Sequence, residues 1–414
     1  MRTPSGSHLN QTEELLAVAG GIPVRSAAFA SWPHYAQDEI DAVTDVLASG
    51  RVNAWTGEAC GRFEAAYARH ADVRHAIALA NGTLALELAL IAYDIGPGDE
   101  VVVPSRTFIA SASCVVARGA VPVVADIDAD SQTLTADTIR AVLTPRTRAV
   151  VAVHLAGWPC DMDAIMALAR ECGLVVIEDC AQAHGARYRG RPVGSLGDAA
   201  AFSFCQDKII STGGEGGMLL LNDTARWETA WAYKDHGKNY DAVYRREHAP
   251  GFRWLHESFG SNWRMTGMQA AIGLCQLDKL PVWVAQRQQH ARTLAQGMAP
   301  ISGLRLVAPP THIEHAYYRY YAFLEPDSLK AGWDQTRIIA AIQAEGIPCF
   351  VGSCSEIARE RAFVKAGWQP GQRLSVARHL GETSLAFLVH PTLDAQAMDD
   401  TCAAVAKVMR TAVR

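Results

Sequence analysis

The sequence predicts an α/β protein: a large domain on a mostly parallel central sheet, followed by a smaller C-terminal α+β domain. Three observations carry that expectation. Short apolar runs alternate with helix-period segments through the first half, the pattern of a parallel sheet covered on both faces. The chain has 414 residues with 49% hydrophobic content, enough for one large and one small core. After a long helical stretch from Ala270 to Met298 the pattern resets, so a second domain begins there.

Taken in order, the segment Tyr35–Gly50 (YAQDEIDAVTDVLASG) places Ile40, Val43, Val46 and Leu47 at helical spacing and stops at glycine. Strands are expected at HAIALAN, EVVVPS, VPVVADI, RAVVAVHLAG and LVVIEDC, separated by helices over 83–93, 108–118 and 162–172. AAAFSFC and GMLLLN follow with a connection too short for a helical crossover, so one of that pair can be antiparallel. Pro281 is expected to interrupt the long helix. Beyond it, AYYRYYAFL reads as a strand and 333–345 as a helix. The resulting division is an N-terminal arm, partly flexible, over 1–25, a large domain over 26–281 and a small domain over 282–414.

Composition excludes several functions. Lys plus Arg total 38 against 43 for Asp plus Glu, a net charge of −5 without a basic block, so nucleic acid is not an expected partner. No apolar run approaches the roughly 18 residues of a membrane span, no signal-peptide pattern opens the chain, and the ten cysteines lack disulfide or zinc spacing. A cytoplasmic protein without a membrane partner is expected. No HExxH or paired-cysteine motif calls for a metal, His312 and His315 read as structural or substrate-facing, and the phosphate loops GxxxxGK[ST] and GxGxxG are absent.

Ligands of an open parallel sheet sit at the carboxyl ends of its strands. Three polar groups stand there: Asn81-Gly82-Thr83 after HAIALA, Glu178-Asp179 after LVVI, and Lys208 after FSF. The first opens a helix, whose leading amides and dipole favour an anion, although an N-cap without ligand is the plain alternative. Asp179 alone could pair with a cation, bind metal or cap a helix. Lys208 is the first lysine in the chain, every earlier cationic side chain apart from histidine being arginine, and lysine rather than arginine is the amine that can lose its proton. A phosphate cup, a carboxylate at a buried strand end and a lysine together meet the needs of pyridoxal 5′-phosphate: lysine for the Schiff base, carboxylate for the pyridine nitrogen. Gly213, Gly214, Gly216 and Gly217 would let the lysine loop turn and approach closely.

The motifs LAVAGGIPVR, VNAWTGE, ALANGTLALELAL, VPSRTFIASAS, HLAGWPCDMD, the run from Val176 to Leu220 and GSNWRMTGMQAAIGLCQLDKL, in that order, resemble the DegT/DnrJ/StrS family of pyridoxal-phosphate-dependent sugar aminotransferases. The resemblance implies the aspartate-aminotransferase-like fold (fold type I) and a homodimer with cofactor at the subunit interface. Lys208 would be the Schiff-base lysine and Asp179 the partner of the pyridinium. Gln182 would lie beside the ring, and Phe108 would stack on it, with core packing as the alternative. Gly82, Thr83 and Ser203 would bind the phosphate, and Asn262 would reach it from the other subunit. Arg264 would face the site or form a surface ion pair. The lysine loop STGGEGG is one glycine longer than the frequent TTGEGG, Cys180 and Cys205 stand where less reactive residues are expected, and the last third matches more loosely.

The activity this implies moves an amino group from L-glutamate through a pyridoxamine 5′-phosphate form to a keto sugar, most simply a nucleotide-linked 4-keto-6-deoxyhexose. Amination of a keto-cyclitol, aromatic-amine synthesis and a non-catalytic pyridoxal-phosphate sensor are the alternatives. Sugar dehydratases on this fold replace the lysine with histidine, which Lys208 argues against.

Overall fold

In the strands of the first half, successive apolar residues face opposite ways, so a central sheet must be covered on both sides. The computed structural model, which describes residues 15–414, shows this sheet. Its seven strands are β1 (His75–Leu79), β2 (Glu100–Pro104), β3 (Val121–Ala125), β4 (Thr147–Val153), β5 (Val175–Asp179), β6 (Ala199–Ser203) and β7 (Gly217–Leu221). They lie in the order β1-β7-β6-β5-β4-β2-β3, all parallel except β7, which runs antiparallel to both its neighbours. The reversal follows from the short Lys208 connection, which cannot carry the chain back across the sheet.

Val102, Val150, Val176, Ala200 and Leu220 pack on one face of the sheet with Phe63, Tyr67 and Leu168. Their neighbours Val101, Val151, Ile177, Ala201 and Leu219 pack on the other with Leu86, Leu90, Val115 and Trp231. Burying each of the Val, Leu, Ile and Phe side chains among these stabilises by about 1.5–3 kcal/mol.

The helices that matter for the site are α1 (Gln37–Ser49), α2 (Ala59–His70), α3 (Gly82–Ala92), α4 (Ala110–Ala117), α5 (Met162–Cys172) and α6 (Thr224–Lys234). Next comes α7 (Gly267–Met298), a single helix of 32 residues with Pro281 inside it. The expected interruption at Pro281 does not occur. Proline removes one intrahelical hydrogen bond, but Gly273, Gln276, Leu277 and Leu280 are buried before it and Val284, Arg287, Ala291 and Leu294 after it. Packing on both sides outweighs the missing bond, and the expected boundary at 281/282 falls within the continuous helix.

The C-terminal sheet is antiparallel throughout, in the order Leu304–Arg305, Tyr320–Leu324, Ser384–Phe387, Cys349–Phe350. The strand expected from Ala316 begins only at Tyr320; the residues before it serve the site. Two helices, α8 (Gln335–Ala344) and α9 (Ala395–Ala412), cover this sheet.

Residues 1–14 of the expected N-terminal arm lie outside the described residues. The remainder is strapped to the C-terminal unit. Glu345, fully buried, accepts the amides of Ala17 (2.8 Å) and Val24 (3.1 Å) and pairs with Lys407 at 2.8 Å. Lys407 also donates to the Ile22 carbonyl. Removing one partner of a buried pair leaves the other charge unpaired and costs about 3–5 kcal/mol. Glu345→Ala is therefore expected to lower the urea midpoint by that equivalent and to expose 15–25 to proteolysis.

Candidate active site

Each expected strand-end group is placed by a local device. At the end of β1, the Asn81 side chain accepts the Leu84 amide at 3.0 Å and caps α3. The earlier amides of Gly82 and Thr83 have no intrahelical acceptor, as at any helix start. A Cβ on Gly82 would stand 2.6 Å from that of Ser203, and one on Gly217 would stand 2.2 Å from the Asn81 carbonyl oxygen. Glycine at both positions lets β6 and β7 close against the turn, making a narrow cup of amides and one hydroxyl.

Ser203 is fixed from behind by His184. A carbonyl can only accept, so His184 Nε2 carries the proton donated to the Ser203 carbonyl (2.8 Å), and Nδ1 accepts from the Tyr67 hydroxyl (2.8 Å). Burial pushes this imidazole down to about 3, keeping it neutral.

Asp179 ends β5, 6% exposed. Its Oδ2 accepts from the Ser111 hydroxyl at 2.9 Å and its Oδ1 from the Ala181 amide at 3.1 Å. Burial raises its pKa, against the lowering influence of Ala181, Ser111 and Lys208. A carboxylate so placed gains from any cation brought to it. Its neighbour Glu178 points into the opposite role: Oε1 accepts the amides of Leu196 and Gly197, and Oε2 accepts that of Gly194.

His154, Glu178 and Cys180 form the one trio of potential metal-ligand atoms within 4.8 Å among the described residues. His154 Nδ1 already accepts the Cys160 amide (3.0 Å), so Nε2 must carry the proton donated to Glu178 (2.9 Å). Neither imidazole nitrogen has a free lone pair, and the trio reads as a brace for β4 and β5 rather than a metal centre.

Lys208 lies in the loop between β6 and β7, its Nζ 3.2 Å from Asp207 and 5.2 Å from the ring centre of Tyr318. Tyr318 donates its hydroxyl to Asp207 Oδ2. Burial works against the Lys208 charge, but Tyr318 and Asp207 outweigh it and hold the ammonium above its ordinary range. Trp32 anchors the loop, its Nε1 donating to the Lys208 carbonyl at 2.8 Å.

Phe108 is 69% exposed, which overturns core packing as its role. The preceding residues are clamped: Arg106, with no exposed surface, donates to the hydroxyls of Ser355 and Ser384, both at 2.9 Å, and the Thr107 amide donates to the Cys354 carbonyl. An exposed ring on a fixed base is suited to stacking on a flat ligand. Gln182 Oε1 accepts the Ala156 amide at 2.7 Å, which leaves its NH2 group to donate.

Asn262 is exposed, with its backbone bridged to Asp235. Arg264 pairs with Asp235 at 2.5 Å, and because Asp235 is almost wholly buried this is not the expected surface ion pair. His315 is buried, stacked on Tyr317, and pushed down to about 3 by burial, which makes it structural.

Sequence reasoning missed Ser111, Asp207, Tyr318 and Trp32. Ser111 was within reach, since it lies two residues before the end of the motif VPSRTFIASAS. Tyr318 is 111 residues from Asp207, and only the fold joins them.

The donor set fits pyridoxal 5′-phosphate: a glycine-lined amide cup whose space a Cβ would fill, a buried carboxylate raised by desolvation, an exposed aromatic ring and a loop lysine. Gly82→Val would drive its side chain into Ser203. It is expected to weaken pyridoxal-phosphate affinity at least about tenfold, read by equilibrium dialysis, because losing charge-assisted amide bonds costs roughly 1.5–3 kcal/mol.

Comparison with known proteins finds relatives in sequence and in fold. A solved aminotransferase from Psychrobacter cryohalolentis superposes with a TM-score of 0.91 at 53% identity, covering 92% of this chain and 99% of that one. GDP-perosamine synthase of Caulobacter vibrioides is 43% identical over 69% of this chain and 73% of its own length. L-glutamine:2-deoxy-scyllo-inosose aminotransferase of Streptoalloteichus tenebrarius is 37% identical over 95% of this chain and 97% of its own. The profile of the DegT/DnrJ/EryC1/StrS aminotransferase family matches residues 33–406, and the chain, an enzyme with the fold expected from its sequence, belongs to that family.

Proposed function

We propose that the protein uses pyridoxal 5′-phosphate to move the amino group of L-glutamate onto a keto sugar, most simply a nucleotide-linked 4-keto-6-deoxyhexose. The observation that carries this reading is the placing of Lys208, Asp179 and the Gly82–Ser203 cup on the strand ends of one sheet. The similarity to a GDP-perosamine synthase supports the sugar acceptor.

When bound, the cofactor supplies an aldehyde that takes up the amino group and a ring that accepts the electron pair left at the donor Cα. Around it, the Gly82 and Thr83 amides and the Ser203 hydroxyl would hold the phosphate, and Phe108 would cover one face of the ring. Asp179 would keep the proton on the ring nitrogen, and the Gln182 NH2 would donate to the ring hydroxyl. Lys208 Nζ would bond to the cofactor aldehyde at rest; freed by the incoming amino group as a neutral amine, it would take the proton from the donor Cα and hand it to the cofactor carbon that carries the amino group.

The site is read as shared by two copies. Ile40 and Leu47 of α1 are 50% and 57% exposed, and the loop carrying Phe252, Trp254 and Phe259 leaves all three in solvent. Apolar exposure on this scale supports a homodimer, with Asn262 turned to the partner's phosphate.

A keto-cyclitol acceptor is the second reading, favoured by the scyllo-inosose aminotransferase that aligns over nearly the whole chain. One experiment separates them. Protein loaded with pyridoxal phosphate is mixed with L-glutamate or L-glutamine, followed by absorbance, and then given a nucleotide-linked 4-keto-6-deoxyhexose or 2-deoxy-scyllo-inosose, with products read by mass spectrometry. Loss of the visible band with glutamate and amination of the nucleotide sugar is the expected result. Glutamine-driven amination of the cyclitol would replace the first reading with the second.

A further inference from the structure

The contacts of Lys208 and the chemistry asked of it pull in opposite directions. To bond to an aldehyde, and later to take a proton from the donor Cα, its nitrogen must offer a lone pair, which an ammonium lacks. Yet Lys208 Nζ stands 3.2 Å from Asp207 Oδ1 and 3.4 Å from Oδ2, a contact that stabilises the protonated form.

The fold holds that contact in place. Tyr318, 8% exposed, donates its hydroxyl to Asp207 Oδ2, and its ring centre lies 5.2 Å from Lys208 Nζ. The tyrosine is fixed in turn, its amide donating to the Ala156 carbonyl at 2.8 Å while the Ala316 amide donates to that of Gly157 at 3.0 Å. A loop carboxylate that could otherwise swing toward water is therefore turned toward the lysine by a ring from a distant segment. The other groups facing Lys208 add little order of their own. Asp179, at the end of β5, attracts the same charge; Cys205, in the lysine loop, is kept a neutral thiol by burial and the acids near it. His184 is neutral, and Arg319, 5.1 Å from the Tyr318 ring centre, opposes the ammonium.

We propose that Asp207, turned by Tyr318, is a positioning residue that docks Lys208 as an ammonium whenever the lysine is not bonded to the cofactor, and so sets the pH at which it bonds. This rests on the reading of Lys208 as the residue that bonds to the cofactor aldehyde. In that step the docked ammonium first gives one proton to solvent. The neutral nitrogen then bonds to the aldehyde carbon, and its two remaining hydrogens leave with the aldehyde oxygen as water. Well below its pKa, an amine is about tenfold scarcer in neutral form for each unit by which a partner raises that pKa, so the dock slows bonding at neutral pH. In exchange, it keeps the lysine beside the cofactor during the stage when the cofactor carries the amino group.

The test mixes cofactor-free protein with pyridoxal 5′-phosphate in a stopped-flow spectrometer and follows growth of the visible Schiff-base band across neutral and alkaline pH. In wild type the rate is expected to climb with pH as the ammonium is lost. Asp207→Asn is expected to bond at least about tenfold faster at pH 7 and to reach its plateau at lower pH, and Asp207→Glu, which keeps the charge, to lie between the two. 4′-Deoxypyridoxine 5′-phosphate, in which a methyl replaces the aldehyde, reports on the phosphate cup alone, and calorimetry is expected to give it equal affinity for wild type and Asp207→Asn. An unchanged or slower rate in Asp207→Asn, or a change in rate accompanied by loss of the methyl analogue, would overturn the proposal. A wild type that binds the methyl analogue but forms no band at any pH would instead overturn the assignment of Lys208, and the dock with it.

Discussion

Lys208→Ala is expected to lower turnover at least about 1,000-fold while leaving a protein that still binds pyridoxal phosphate. The two effects separate because different parts of the chain supply them. The cup at Gly82, Thr83 and Ser203 and the carboxylate of Asp179 do not depend on the Lys208 side chain, whereas proton transfer at the donor Cα does. The next two lysines along the chain are engaged elsewhere: Lys234 is buried against the ring of Trp231, and Lys238 is paired with Asp235. Lys208→Arg sharpens the test. It keeps the positive charge beside Asp207 and Tyr318 but cannot give up its proton at working pH. Should arginine restore activity, the lysine would be acting as a fixed charge. Both variants are expected to be equally inactive in stopped-flow absorbance after glutamate is added, with cofactor retained on dialysis.

Much of the large domain is legible in the sequence because its signals are local. Met162–Cys172 is a helix with the expected bounds, and the strand at Val175–Asp179 delivers its carboxylate to the end of the sheet. These depend on residue spacing and on the polar groups that end an apolar run. The antiparallel β7 is legible for the same reason, since a short connection leaves few options. Pro281 shows the limit: local propensity favours a break there, and burial on both sides of α7 overrides it.

In the site, legibility divides along the same line. Residues that stand at strand ends within recognisable motifs are legible. Those that set the charge of Lys208 do not, because Asp207 looks like any loop acid until Tyr318 arrives from the C-terminal unit. Arg106 likewise carries no signal of its own in the sequence. Only the fold reveals that it is buried and holds the base of Phe108 against Ser355 and Ser384.

Asp179→Asn should produce opposite effects on stability and activity, which no simple loss of structure can mimic. Burial raises the pKa of this carboxyl above its unfolded value. Between those two values the folded state holds the proton more tightly, so stability falls as pH rises through the window, and at neutral pH the ionised group is a net cost to the cofactor-free protein. Asparagine removes that cost. Its carbonyl can still accept the Ala181 amide, and its NH2 can donate to a rotated Ser111 hydroxyl, so the two existing contacts survive. Cofactor-free Asp179→Asn is therefore expected to melt no lower than wild type at pH 7, and the difference to shrink as pH falls. With cofactor the order reverses. The carboxylate no longer holds the ring proton, so the stabilisation gained on binding shrinks, and the glutamate half-reaction slows by about 100–1,000-fold, the scale of losing one charge-matched group in a buried site. A cofactor-free protein that melts well below wild type would mean that Asp179 is chiefly a fold brace like Glu178. An unchanged half-reaction rate would mean that the ring nitrogen needs no carboxylate here.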